Sequence, residues 1–149
     1  MHGMNIAKFE RFFRTTAGLD IDKQDLKRFG DFINRKLYDL LSRGEAIARA
    51  NGRNRIELID LPITKGLQAQ LDEFSKLDED LELAPILDHL SARPPLGLNL
   101  SDDTESQLAA LAGGISVALA HSFKILDPKL KNPQTHHWER SFRIFDFLL

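Results

Sequence analysis

The sequence predicts an all-α fold built as two helix, long helix, helix units in one chain, and three observations predict it. Apolar residues recur at helical spacing through most of the 149 residues, and no segment alternates convincingly as a strand would. Gly18-Leu19-Asp20-Ile21-Asp22 reappears as Gly97-Leu98-Asn99-Leu100-Ser101, 79 residues later. At the same offset Phe29 falls on Leu108, Phe32 on Leu111 and Leu40 on Leu119, so the apolar register repeats along with the loop. The halves are residues 5–77 and 81–149; with 42% hydrophobic residues the chain can fill one core, and 1–149 is read as a single domain.

The first short helix runs from Asn5 to Thr16, with Ile6, Phe9, Phe12 and Phe13 on one face. Gly18 is placed to stop it in a left-handed conformation, and Asp22 to cap the next, with Ile21 and Leu26 spaced as a hydrophobic staple. Leu26, Phe29, Ile33, Leu37, Leu40, Leu41, Ile47 and Ala48 then carry one stripe to Asn51-Gly52, far beyond the ~11–12 residues of an average helix. Pro62 fits the first turn of a third helix, whose face is Ile63, Leu67, Leu71 and Phe74. Asp78-Glu79-Asp80 reads as a solvated junction between the halves.

The second half opens with a helix over Leu81 to Ala92, Pro85 in its first turn and Arg93-Pro94-Pro95 ending it. Ser101 or Asp102 caps another long helix, in which Leu108, Leu111, Ile115, Leu119, Phe123 and Leu126 keep the stripe until Asp127-Pro128 breaks it. Gly113-Gly114 suits close approach where the two long helices cross, since a helix-interior glycine otherwise costs about 1 kcal/mol. The last helix starts near Pro133 with Trp138, Phe142, Phe145 and Leu149 on one face; Ile144, Phe147 and Leu148 on other sides make its end apolar nearly all round.

Ala50 to Leu61, with Gly52-Arg53, Ile56 and Asp60, resembles the second loop of a histone fold, and the whole chain resembles a bacterial family of tandem, double histone-fold proteins whose function is not established. The resemblance implies a histone fold paired as an intramolecular pseudodimer, its long helices crossing near their middles over Phe29, Phe32, Leu40, Leu108, Leu111 and Leu119. It also implies a clamp between Arg53 and Asp60, as in archaeal-type histones, where a guanidinium grips a carboxylate bidentately. Two departures stand out. Arg55 occupies the place where that family has a small hydroxyl, and Asp127 to Pro133 has no Gly-Arg, although Glu139 falls at the place of Asp60.

Paired head to tail as histones are, each half would set its first loop beside the other's second loop, where basic side chains and helix-start N–H groups can hold phosphates. One end combines Arg53 and Arg55 with residues 97–103, whose Asp102 and Asp103 oppose a phosphate. The other combines Lys129 and Lys131 with Lys23 and Lys27, and Arg11 and Arg14 add a middle contact. The first expectation is therefore a non-enzymatic protein that binds double-stranded DNA weakly through phosphates. Charge limits it: the chain carries −2 overall, +3 over residues 1–77 and −5 over 78–149. The alternative is a protein-interaction scaffold that self-associates or captures a protein through Phe142, Phe145 and Leu149. An enzyme or metal protein assembled from distant residues is a third reading.

Much chemistry is excluded by residue type. Zero cysteines remove disulfides, thiolate metal sites and cysteine nucleophiles. His136, His137 and Glu139, with His121 and Asp127, lack any closed ligand spacing, so no metal is expected. Ser116 in Gly114-Ile115-Ser116-Val117-Ala118 lacks the second glycine and the strand of a nucleophile elbow. No glycine loop for a nucleotide is present, so no cofactor is expected. Residues 108–120 fall short of the ~20 that span a bilayer, and Met1 to Met4 do not open a secretory signal, which points to the cytoplasm, at the nucleoid if DNA is bound.

Overall fold

Caps and breakers set the first unit. The structure, a computed structural model, describes residues 3–90 and 95–149. Helix α1 (Gly3–Ala17) ends at Gly18, whose φ of 63° returns its N–H to the Arg14 carbonyl at 2.9 Å. Helix α2 (Lys23–Ala50) opens on a capping box: the Asp22 carboxylate accepts the Asp25 N–H at 3.0 Å and Asp25 accepts that of Asp22 at 3.1 Å. It stops at Asn51-Gly52, where Gly52 has a φ of 72° that a side chain would resist.

The next helix, α3 (Lys65–Leu81), begins later than Pro62 predicts. The Thr64 hydroxyl is its cap, accepting the Leu67 N–H at 3.1 Å. Upstream, the Asp60 carboxylate folds residues 58–60 into a separate 3-10 turn, accepting the Glu57 N–H at 2.8 Å, and Pro62 is left in the connector. The acidic run is also more than a junction. It forms the last turn of α3, and Asp78 Oδ1 accepts the N–H groups of Leu83 at 2.5 Å and Ala84 at 3.0 Å, which starts α4 (Ala84–Leu90). Pro85 sits in the first turn of α4 as expected; Arg93-Pro94 lies outside the described residues.

In the second unit Ser101 is the cap, but the expected long helix is divided at Gln107 into α5 (Asp102–Ser106) and α6 (Leu108–Leu126). The short first piece is tied elsewhere: the Thr104 hydroxyl donates to the Ile56 carbonyl of the first half at 2.9 Å. Asp127-Pro128 ends α6, and α7 (Thr135–Leu148) follows. Two strands of two residues each, β1 (Arg55–Ile56) and β2 (Asn99–Leu100), pair in parallel, Arg55 with Asn99 and Ile56 with Leu100.

The protein is thus mostly helical with one small two-stranded sheet, and α6 is its central element, touching α1, α2, α3, α4 and α7. By length and composition α6 passes as a membrane-crossing helix, yet 61% of it is buried in the fold, as befits a core helix. Phe29, Phe32, Leu40, Leu108, Leu111 and Leu119 are all buried in one continuous core. The glycine pair faces a different neighbour from the one the sequence suggests. A Cβ on Gly113 would meet the Phe74 ring, and one on Gly114 would stand 3.2 Å from the Leu71 backbone nitrogen, so it is α3 that they admit, not the crossing of the two long helices.

Candidate functional site

The loops of the two halves are bonded crosswise, which creates two ends. At the first, the β1–β2 pair is extended by the Ser101 N–H, which donates to the Ile56 carbonyl at 3.0 Å. Glu45 of α2 reaches across to accept the Leu98 N–H at 2.7 Å, and Gly97 leaves room for Arg49. At the second end one backbone bond does the joining, from the Asp20 N–H to the Lys131 carbonyl at 2.7 Å. The loop after α6 is held by Lys124 Nζ, which donates to the Leu130 carbonyl at 2.5 Å, rather than by a clamp; Glu139 is exposed on α7.

Arg53 and Asp60 do meet. The Arg53 guanidinium donates through Nη2 to Asp60 Oδ1 and through Nε to Oδ2 at 3.4 Å. Asp60 is fully buried while Arg53 stays 38% exposed, so a surface cation neutralises a buried anion and ties the loop to the turn before α3. The bonds from Arg53 hold the Asp60 carboxyl below its usual range, and Asp60 in turn raises Arg53. Asp146 is likewise lowered, by Lys36, whereas burial raises Asp25. Depressed carboxyls stabilise the fold above their unfolded value of about 3.8 and lose that contribution as pH falls through the lower folded value. Asp25 works the other way. The urea midpoint should therefore hold from pH 7 to about 5 and fall below about 4, with a shallower acid limb in Asp60→Asn, which starts from a lower midpoint. An unchanged limb in that variant would remove the clamp from the account.

Of the predicted cations, Arg53 is committed to this clamp, Arg14 lies 3.5 Å from Asp20 at the second end rather than in a middle position, and Lys27 lies 3.9 Å from Asp31. Arg11, Lys23, Arg55, Lys129 and Lys131 are exposed and in no ion pair among the described residues. Carboxylates flank both ends. Arg55 shares a cavity of about 460 Å³ with Asp102 and Glu105, and Asp20, Asp22 and Asp25 line one of about 260 Å³ beside Arg28 and the start of α7.

His137 and His121 are both engaged in contacts within the fold. His137 Nδ1 accepts the Gln134 N–H at 2.9 Å at the start of α7, and burial, with His136 beside it, lowers its pKa. His121 is drawn away to Glu73 of α3 at 2.7 Å. Ser116 is fully buried and donates to the Ala112 carbonyl at 2.7 Å.

Two features were not foreseen. Lys36 is buried in α2, its ammonium 2.6 Å from Asp146 of α7 and 3.1 Å from Asp39; a lone lysine between Ile33 and Leu40 on the apolar stripe was its signal. The residues expected to recruit a partner point partly inward, too. Phe145 is buried, and Phe142 stacks on Phe32 at 4.3 Å with Arg35 over both rings.

These features define a mostly helical protein with one small parallel sheet and with basic but acid-flanked loop ends. The chain belongs to the family described as a domain of unknown function, DUF1931, which it matches over residues 9–146. It is similar to a crystal structure from Thermus thermophilus, with 55% identity, a TM-score of 0.86 and 97% of each chain covered. A crystal structure from Aquifex aeolicus resembles it at 26% identity and a TM-score of 0.85, over 97% of this chain and 95% of that one. An uncharacterised protein of Aquifex aeolicus strain VF5 is 28% identical over 117 residues, 78% of this chain and 68% of its own length.

Proposed function

We propose that this chain is a tandem histone-type scaffold, its two units paired as an intramolecular pseudodimer, and that it acts without catalysis by touching DNA phosphates weakly. The observation that carries this reading is the crosswise bonding of the loops, β1 with β2 at one end and Asp20 with Lys131 at the other. That arrangement displays Arg55 at one end and Lys23, Lys129 and Lys131 around the other, with Arg53 serving as the clamp. Nearby carboxylates keep the contact weak, and the neutralisation of phosphates by cations makes it salt-sensitive. On this reading the protein works in the cytoplasm, at the nucleoid.

A salt titration by fluorescence anisotropy, on random-sequence duplex DNA, tests it. Each neutralised phosphate adds roughly −0.9 to the log-log slope, so the free cations allow a slope of at most about −4 to −5. A variant carrying Arg55→Ala, Lys129→Ala and Lys131→Ala should lose more than half of that slope. No binding at low salt sinks the DNA role and leaves the scaffold. A second reading, a protein-interaction scaffold, is favoured by one observation, an outward apolar face on α7.

A further inference from the structure

Helix α7 has two apolar faces. Trp138, Phe142, Phe145 and Leu149 pack toward the core, while Ile144, Phe147 and Leu148, spaced as one helical stripe, are 41%, 84% and 72% exposed. Beside this outer stripe runs an apolar groove of about 440 Å³, bounded by Leu67 and Gln70 of α3, by Ala118 and Ile125 of α6, and by Ile144 and Leu148 themselves. Ile125 stands 81% exposed within this groove, and the buried Gln70 Oε1 has no hydrogen-bond partner among the described residues.

We propose that this groove is a homodimer interface, filled by the outer face of α7 from a second copy of this chain. The proposal extends the scaffold reading and does not depend on DNA. Knob and hole lie on one patch: the protruding Phe147 and Leu148 adjoin a groove with apolar lining, which is the self-complementarity that a two-fold interface requires. The area also fits. Ile125, Ile144, Phe147 and Leu148 expose on the order of 500 Å² together, so two copies would cover about 1,000 Å² from these side chains alone, the threshold for a specific interface.

Sedimentation velocity of the full chain, over a roughly hundredfold range up to about 200 µM, reads the outcome. Wild type should shift from monomer to dimer. Phe147→Asp with Leu148→Asp should weaken the dimer at least tenfold while leaving the circular-dichroism spectrum and melting temperature of the monomer unchanged, since both side chains are exposed. Ile59→Asp, at an equally exposed isoleucine away from the groove, should dimerise as wild type does. A wild-type monomer throughout, a dimer untouched by the double variant, or a dimer lost equally with Ile59→Asp would each overturn the proposal.

Discussion

Replacing Trp138 with alanine should destabilise the protein by about 3–5 kcal/mol, the range for deleting a buried tryptophan, and lower the melting temperature by roughly 10 °C. Trp138 is fully buried where α1, α6 and α7 converge. Its ring lies edge-on to Phe123 at 4.8 Å and to Phe13 at 6.1 Å, and Arg28 covers it at 6.0 Å. Phe13 belongs to the first half and Phe123 to the second, so the indole joins the two units. Its loss should therefore shift a single unfolding transition, not release one half ahead of the other. Far-UV circular dichroism in urea reads this without needing fluorescence, since Trp138 is the one tryptophan in the chain. Two separated transitions, or a loss below about 1 kcal/mol, would mean that the units do not share this core.

Local signals on one element were legible in the sequence; those that need a distant partner were not. Gly18, Asp22, Gly52 and Asp127-Pro128 act on the few residues around them, and each ends or starts a helix where it was expected to. Arg53 and Asp60 are seven residues apart, and the resemblance was enough to pair them. By contrast β1 and β2 have two residues each, too few for any periodicity, and they pair across 44 positions. Pro62 competes with Thr64 for the start of α3, and a side-chain cap that satisfies an N–H decided it. Lys36 looks like a flaw in a stripe until Asp146, on another helix, arrives beside it. The apolar end of α7 was visible as composition, but which residues turn inward depends on where α2 and α6 lie.

The same substitution, glycine to alanine, should act with opposite sign at two helix-interior positions. At Gly30 of α2 an added Cβ meets nothing within 4 Å, so alanine should stabilise by about 0.5–1 kcal/mol through the helix propensity that glycine forfeits. At Gly113 of α6 the identical gain is available, but the new methyl would overlap three atoms of the Phe74 ring. Phe74 is itself 2% exposed, with α3 lying along α6, so the ring cannot swing into solvent and the helices must separate. Overpacking of this kind costs about 1–3 kcal/mol, which outweighs the propensity gain over most of that range. Urea midpoints should fall in the order Gly30→Ala, wild type, Gly113→Ala at constant slope. A Gly113→Ala protein as stable as Gly30→Ala would show that α3 is not pressed against α6, and the contact that carries the first half onto the second would have to be sought elsewhere.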